Sequence, residues 1–311
     1  MSPPDLIGVT GATGFIGSSL CQGLLQQGFR VKALVRSPDK ASTLRALGAE
    51  LVAGSLADPN ALEQLSTDCA ALIHGAGAVR GSCQEDFDRV NVEGTAAVIE
   101  AVKSREPPPR LLLLSSLAAR EPQLSWYARS KRRGEELLQR EAGLDWVILR
   151  PPAVYGPGDK EMLPVFETMS RGLAPVAGSS ESRISLIHVS DLVEAIIACL
   201  KSEGVTRQTL SPSDGKQDGY DWHEMAAIAG ATWSRKVRLW RIPRWLLDSV
   251  AAVNLRLARV SGRAPMLTPA KLRELRHPDW VVDNTEITAA TGWKPEINLQ
   301  RGLRELRNSA L

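Results

Sequence analysis

The sequence predicts an α/β fold, in which a doubly wound parallel sheet is followed by a smaller mixed C-terminal region. Apolar strand patterns alternate with amphipathic helix patterns through the first half of the 311 residues, an order that produces parallel strands with helices on both faces. Three glycines, Gly11, Gly14 and Gly17, join the first strand to the first helix. The regularity weakens after Pro151-Pro152, which predicts where the smaller region begins.

Six strands are expected in the main sheet, over residues 6–9, 29–35, 50–53, 70–74, 110–114 and 146–149. Helices are expected over residues 18–25, 39–47, 59–66, 86–104, 125–142 and 191–200. A strand over residues 185–189, followed by the last of these helices, is predicted to return to the main sheet. The main domain is therefore predicted to contain residues 1–152 and 185–202, and the smaller region residues 153–184 and 203–311.

The glycine-rich turn has the spacing G-x-x-G-x-x-G within TGATGFIG, residues 10–17. Such a turn lets backbone approach a pyrophosphate closely, and it directs free N–H groups and the positive end of a helix at the phosphates. A tight turn without a ligand produces the same letters. Here the motif follows a buried strand and opens an amphipathic helix, so we interpret it as a dinucleotide-binding turn.

Composition and charge argue against several classes of protein. The net charge of +3 is too small to predict nucleic-acid binding, and no apolar run reaches the length of a transmembrane helix. The cysteines are scattered without a C-x-x-C pair, which favours reduced thiols over disulfides or a zinc site. The first strand begins within a few residues of Met1 and leaves no room for a signal peptide. We therefore expect a cytoplasmic protein without a metal site.

Several further motifs occur in an order that is specific to one superfamily. They are HGAG at 74–77, VNVEGTAAVIEA at 90–101, LLSSLAA at 113–119, YARSK at 127–131, RPPAVYGPGD at 150–159, LIHVSDLVEAI at 186–196 and GWKPEINLQRGL at 292–303. With the glycine turn, the chain resembles the extended short-chain dehydrogenase/reductases, the epimerase/dehydratase superfamily. Residues 242–272 resemble its 3β-hydroxysteroid dehydrogenase and dihydroflavonol reductase-like branch. The resemblance implies a dinucleotide-binding Rossmann domain and a C-terminal substrate-binding region.

Tyr127 and Lys131 form a candidate catalytic pair. They are four residues apart in a predicted helix and therefore share one face. An ammonium group near a phenol lowers the phenol pKa by about one to three units, and the phenol can then transfer the proton that accompanies hydride transfer. A solvated pair on a surface helix is the alternative. The resemblance implies the catalytic role and adds Ser116, rather than Ser115, as the hydroxyl that holds the substrate oxygen.

The resemblance also implies a set of cofactor-binding residues at the ends of several strands and on the catalytic helix. The set contains Gly11, Thr13, Gly14, Phe15, Ile16, Gly17, Arg36, Ser55, Leu56, Gly75, Ala76, Gly77, Asn91, Tyr127, Lys131, Pro151 and Val154. Asn91 has a second interpretation, as a side chain that satisfies backbone groups at a helix distortion. His74 is interpreted as a packed histidine near the cofactor ribose.

The end of the second strand favours NADP(H) over NAD(H). An acidic residue there would bind the ribose hydroxyls of NAD, whereas an arginine would meet the 2′-phosphate of NADP. The strand ends at Val35 and is followed by Arg36, with no acid before Asp39. Arg36 is therefore the candidate phosphate ligand, with Lys40 as a helper, and NAD(H) is the alternative cofactor.

Three functions are compatible with these residues. The first is an NAD(P)-dependent oxidoreductase that interconverts a secondary alcohol and a ketone on a small or mid-sized, fairly apolar substrate. The second is a sugar-nucleotide epimerase or dehydratase with tightly bound NAD. It is disfavoured because Ile184 stands where these enzymes often carry an arginine for the diphosphate, with Arg183 beside it. The third is a dinucleotide-binding subunit or sensor without turnover, and the intact Ser116, Tyr127 and Lys131 argue against it.

Residues 235–263 are basic and amphipathic. They combine arginines with Trp240, Trp245 and aliphatic residues at helical spacing, and Asp248 is their only acid. A basic amphipathic helix with tryptophans is typical of peripheral membrane contact, whereas a substrate-domain helix with a solvated basic face is the alternative. A homodimer is left open by the sequence.

Overall fold

The computed structural model describes residues 5–261 and 267–308. Within them the strands are β1 (Leu6–Thr10), β2 (Arg30–Val35), β3 (Glu50–Ala53), β4 (Ala71–His74), β5 (Arg110–Leu114), β6 (Trp146–Leu149), β7 (Ala153–Tyr155), β8 (Leu173–Val176), β9 (Arg183–Ile184), β10 (Leu186–His188), β11 (Gln208–Leu210), β12 (Arg238–Arg241) and β13 (Asp279–Trp280). The first six lie within two residues of their predicted bounds.

In the same part of the chain the helices are α1 (Phe15–Gln26), α2 (Ser42–Ala46), α3 (Pro59–Ser66), α4 (Gln84–Asp88), α5 (Gly94–Lys103), α6 (Trp126–Gln139), α7 (Leu163–Ser170), α8 (Val189–Lys201), α9 (Trp222–Trp233), α10 (Arg244–Ser261), α11 (Pro269–Leu275), α12 (Thr285–Thr291) and α13 (Leu299–Asn308). A π-helical turn, Arg89–Glu93, joins α4 to α5 where one continuous helix was predicted. None of these helices combines the length and apolarity needed to cross a bilayer.

The main sheet confirms the predicted doubly wound α/β architecture. Its strand order is β11-β6-β5-β4-β1-β2-β3, and all of the pairs are parallel. The order reverses between β1 and β4, where Thr10 lies beside His74 at the carboxyl ends of the two strands. A ligand crevice is expected at such a reversal, so the topology places a site beside the glycine turn.

The predicted return of residues 185–189 to the main sheet is wrong. β10 pairs with β7 in a separate two-stranded sheet, and the seventh strand of the main sheet is β11, which pairs with β6. The helix that follows β10 does return, because α8 packs against α1: a Cβ atom on Gly23 would lie 2.5 Å from Cγ1 of Val193. Residues 208–210, which were predicted to belong to the smaller region, are therefore part of the main sheet.

The remaining elements enclose an apolar core that is separate from the two built on the strands of the main sheet. Tyr155, Phe166 and Leu303 are fully buried in it. The segment predicted to be an amphipathic helix forms α10, while residues 262–263 of the predicted basic segment lie outside the described residues. The smaller region thus has a core of its own, and it lies against the edge where the candidate site residues converge.

Candidate active site

The glycine turn has the shape of a phosphate-binding cradle. Gly11 has a φ of +74°, and a Cβ atom on it would lie 2.6 Å from the backbone of Gly75 and Ala76. A Cβ atom on Gly17 would lie 2.1 Å from the oxygen of Gly11, so α1 can approach β1 only with glycine there. Gly14, in contrast, is exposed and would meet only the Gly11 oxygen, at 3.2 Å. The cradle is therefore open on the side of Gly14.

The start of α1 also leaves its N–H groups available. Gly14 provides no side-chain cap, and the first turn contains no acidic residue. Free N–H groups and the positive helix end favour a bound anion. Because Gly14 and Thr13 are exposed at this point, the residues present fit the pyrophosphate of a dinucleotide.

A hydrogen-bond chain fixes the crevice wall behind this cradle. The Ala76 N–H donates to Thr10 Oγ1 at 3.2 Å, and Thr10 Oγ1 lies 2.7 Å from His74 Nδ1. His74 Nε2 lies 3.2 Å from Thr95 Oγ1, which donates to the carbonyl of Asn91 at 2.9 Å. Burial, helped by the charge of Lys131, lowers the pKa of His74 to about 3. A neutral His74 protonated on Nε2 satisfies every link, so it acts as the packed histidine that was predicted.

Asn91 lies in the π-helical turn, and its side chain satisfies the backbone groups of Ala78 in the loop after β4. Its Oδ1 accepts from the Ala78 N–H at 2.9 Å, and its Nδ2 donates to the Ala78 carbonyl at 3.0 Å and to Ser130 Oγ at 2.8 Å. Ser130 in turn donates to the carbonyl of Tyr127. A Cβ atom on Gly134 would lie 2.4 Å from the Asn91 carbonyl. Asn91 therefore fixes the position of α6, the helix that carries Tyr127 and Lys131.

The structure separates the roles of the two adjacent serines after β5. Ser115 is buried and donates to Oε1 of the fully buried Glu135 at 2.5 Å, while Arg150 binds the same carboxylate through two nitrogens. Ser116 accepts from the Ala118 N–H at 3.2 Å and lies beside the phenol of Tyr127, where its hydrogen bonding works to lower the phenol pKa. Ser116 is therefore the serine that faces the site.

The pKa of Tyr127 lies above its ordinary value, which is opposite to the direction expected from the sequence. Burial of the phenol is the main cause, and Ser116 and the ammonium of Lys271 offset only part of it. Lys271 Nζ lies 5.7 Å from the centre of the Tyr127 ring. The phenol is therefore protonated at neutral pH and can act as a proton donor.

Lys131 is buried one helical turn after Tyr127. Its ammonium donates to the Leu114 carbonyl at 3.0 Å, and a Cβ atom on Gly77 would lie 3.1 Å from Nζ. Burial lowers the pKa of Lys131 to about 8, although the carboxylate of Glu135 acts in the opposite direction. The structure thus brings Lys131 to the cofactor crevice, next to Gly77.

The sequence analysis missed a second group of residues in the cleft at Tyr127. Glu274 is buried and lies 2.6 Å from Lys271 Nζ. Its Oε1 accepts from the hydroxyl of Ser125, which also caps α6 by accepting from the Ala128 N–H. Lys271 and Glu274 lie on α11, about 150 residues along the chain from α6, so no local pattern predicts the contact. In the sequence, these two residues are recognisable only as a lysine and a glutamate three positions apart in a short helix.

The other residues that were predicted to bind the cofactor make fewer side-chain contacts than Asn91 and Lys131 do. Arg36 is exposed after β2, and among the described residues it makes no ion pair. Ser55 accepts from the Ala57 N–H, and a Cβ atom on Gly94 would lie 2.6 Å from Leu56. The Pro151 carbonyl accepts from Leu117. Phe15, Ile16 and Val154 are half-buried.

The chain is similar to several known proteins. The model of the NAD dependent epimerase/dehydratase family matches residues 7–210. A ceramide reductase of Caulobacter vibrioides is 38% identical over 275 residues, which cover 88% of this chain and 85% of that protein. A 2-alkyl-3-oxoalkanoate reductase of Stenotrophomonas maltophilia is 24% identical and covers 97% and 98% of the two chains.

The fold is similar to that of solved structures. A UDP-glucuronic acid 4-epimerase of Bacillus cereus, solved with NAD and a substrate analogue, matches with a TM-score of 0.75 and 18% identity over 98% of this chain and 99% of that one. The family match, together with the site geometry, confirms the predicted resemblance. The chain belongs to the NAD-dependent epimerase/dehydratase family within the extended short-chain dehydrogenase/reductases, and it is an NAD(P)-dependent oxidoreductase.

Proposed function

We propose that this oxidoreductase uses NADPH to reduce the ketone of a long-chain 3-oxo lipid to a secondary alcohol. The observation that carries the proposal is the position of the Tyr127 phenol, which lies beside Ser116 in a partly apolar cleft. Val79, Phe87 and Trp126 contribute apolar surface to this cleft. A lipid substrate is also supported by the names of the two reductases given above, which act on ceramide and on 2-alkyl-3-oxoalkanoate.

Each residue of the cleft has a role in the proposed reduction. Ser116 donates a hydrogen bond to the ketone oxygen and orients it toward the phenol. Tyr127 donates the proton that the oxygen acquires as it becomes an alcohol. Lys131 holds the ribose side of the cofactor and limits the charge that Tyr127 acquires. When bound, the nicotinamide supplies the hydride. Because burial raises the pKa of Tyr127, the phenol begins the proposed reduction as an acid.

The cofactor preference is proposed from Arg36. Its exposed guanidinium is available to the 2′-phosphate of NADPH, and a charge-assisted contact of that kind is worth roughly 1.5–3 kcal/mol, or about ten- to a hundredfold in affinity. Arg36→Ala should therefore weaken NADPH binding by about that factor and leave NADH binding unchanged. Arg45→Ala, an exposed arginine on α2, is the matched control. Equal losses for NADPH and NADH would contradict the assignment.

The sugar-nucleotide alternative has less support. Arg183 is engaged with the Asp218 carbonyl at 3.0 Å and lies within 4 Å of the carboxylates of Asp221 and Glu224. Ile184 packs against the core of the smaller region. Neither side chain is available to a diphosphate in this arrangement.

The substrate class is tested by a panel of purified compounds. NADPH consumption is measured with the 3-oxo form of a ceramide, a 2-alkyl-3-oxoalkanoate, a short water-soluble ketone and UDP-sugars. The proposal expects turnover with the two lipids and its loss in Tyr127→Phe, while the variant stays folded by circular dichroism. Turnover of UDP-sugars without net NADPH consumption would contradict it, and so would full activity of the variant.

Three further assignments are part of this proposal. Residues 153–184 and 203–311, apart from β11, form the region that binds the substrate. The protein acts in the cytoplasm, and we expect a homodimer in solution, which light scattering on the purified protein tests. A monomer would remove the last assignment without affecting the proposed chemistry.

A further inference from the structure

Within residues 5–261 and 267–308, no element covers one apolar face of α10. Leu246, Val250, Val253 and Leu257 are 36%, 42%, 51% and 61% exposed. At about 100° per residue these four positions fall within an arc of about 60° on the helix. Trp245, at 69% exposed, lies on one flank of this face, about 80° around the helix from Val253. We call these five residues the α10 stripe.

The opposite side of the helix is the one that packs on the protein. Ala251 and Ala258 are buried, and the helix contacts α11. Arg276, just after α11, binds the carboxylate of Asp248 at 2.7 Å. The stripe is therefore not part of the apolar core in the described chain, and it faces away from it.

The charges around the stripe are positive. Arg238, Arg244 and Arg256 are exposed, and Arg241, also exposed, lies on β12 just before the helix. Asp248 is the only acid between residues 235 and 261, and Arg276 neutralises it. The occupant of this face should therefore present apolar surface together with negative charge.

We infer that the α10 stripe inserts into the surface of an anionic lipid membrane. An amphipathic helix with aliphatic and tryptophan side chains on one face and arginines beside it has the composition of interfacial helices. A second copy of this chain fits less well, because a two-fold contact would bring the same arginines of both copies together. A membrane supplies the negative headgroups and the apolar interior in one surface.

The α10 stripe lies close to the active-site cleft in the fold. α11, on which α10 packs, carries Ala270, Lys271 and Glu274 into the cleft at Tyr127. One helix thus separates the membrane-facing stripe from the cleft. Docking holds the cleft at the bilayer surface, where a lipid substrate is available. The membrane contact itself does not depend on which ketone is reduced.

Vesicle co-sedimentation of the full chain tests the inference without any substrate. Vesicles of phosphatidylcholine with phosphatidylglycerol are compared with vesicles of phosphatidylcholine alone. The wild type should partition onto the anionic vesicles, and added salt should weaken the binding. Each of Arg238→Gln and Arg256→Gln should lower the partition coefficient about fivefold. The double variant Val253→Ser/Leu257→Ser should lower it more than tenfold.

Matched controls come from exposed residues far from α10 in the sequence. Leu47→Ser, at a leucine 43% exposed after α2, and Arg45→Gln should bind vesicles like the wild type. Circular dichroism and thermal melting verify that every variant is folded. The inference is overturned if the wild type does not bind anionic vesicles or if the controls lose as much binding as the stripe variants. It is also overturned if the stripe variants abolish a lipid-free dimer and leave vesicle binding intact.

Discussion

At the scale of single residues, Ser115 and Ser116 are adjacent in sequence but make different contacts. The sequence places both at the end of β5, and only the structure shows one bound to Glu135 and the other beside Tyr127. The two serines differ because Glu135 and Tyr127 on α6, together with Arg150, provide different partners at the end of the strand. The local sequence of residues 113–119 therefore cannot predict which serine faces the site.

Exchanging each serine for alanine should separate stability from chemistry. Ser115→Ala leaves a lone pair of the buried Glu135 without its donor, so the free energy of unfolding should fall by about 1–3 kcal/mol while kcat is kept. Ser116→Ala should lower kcat about ten- to a hundredfold. It should also lower the free energy of unfolding by about 1 kcal/mol, because the Ala118 N–H loses its acceptor. Urea unfolding and steady-state kinetics on both variants measure this. The same kcat loss in both would show that neither serine has a distinct role.

Lys131 should make the stability of the cofactor-free protein depend on pH. Its pKa is lowered from 10.5 to about 8 in the folded protein. Below about pH 8 the ammonium is charged in both states, and its burial costs about 3 kcal/mol. Between about pH 8 and 10.5 the unfolded chain binds more protons, so stability rises with pH.

Lys131→Met removes this dependence. The variant should be more stable than the wild type at about pH 7, and the gap should shrink by about 2 kcal/mol at about pH 9.5. Lys40→Met, at an exposed lysine, controls for general effects of pH. Urea unfolding at both pH values measures the gap, and a gap that stays constant or grows with pH would contradict a lowered pKa.

At the scale of elements, the sequence predicted the turn between β1 and α1. It did not predict which of the turn's glycines the backbone geometry requires. The spacing of the glycines identifies the turn, but only the structure shows that Gly17 is required for helix approach and that Gly14 faces outward. Lys271 and Glu274, in contrast, could not be predicted to belong to the site at all. Their place beside Tyr127 depends on how α11 meets α6, a contact between segments far apart in sequence.

Alanine at the two glycines should therefore have different effects. Gly17→Ala forces its Cβ against the Gly11 oxygen, so both the melting temperature and NADPH affinity should fall. Gly14→Ala brings its Cβ to 3.2 Å from the Gly11 oxygen, a tight contact that a small shift relieves, so it should destabilise the protein less than Gly17→Ala does. It should still weaken NADPH binding because the methyl group occupies the approach of the pyrophosphate. Calorimetry and fluorescence titration measure the two quantities. A stable Gly17→Ala with normal affinity would refute the close approach.

At the scale of the whole molecule, the alternation of strands and helices was enough to predict the first six strands of the sheet and their parallel arrangement. It was not enough for the seventh. β11 has three residues, Gln208–Leu210, with too short a pattern to be recognised, whereas Leu186–His188 has an apolar pattern but pairs with β7. β11 follows α8 in the chain and pairs with the edge of β6. Its position therefore depends on how α8 packs against α1.

The central claim is that the protein transfers a hydride from NADPH to a lipid ketone and releases NADP⁺ and the alcohol, with Tyr127 as the proton donor. The most direct measurement uses NADPH in which both hydrogens at the nicotinamide C4 position are deuterium, with the 3-oxo form of a ceramide as substrate. Mass spectrometry should find one deuterium in each alcohol formed, with one NADP⁺ for each alcohol. Alcohol without deuterium, or UDP-sugar interconversion with no net loss of NADPH, would contradict the account.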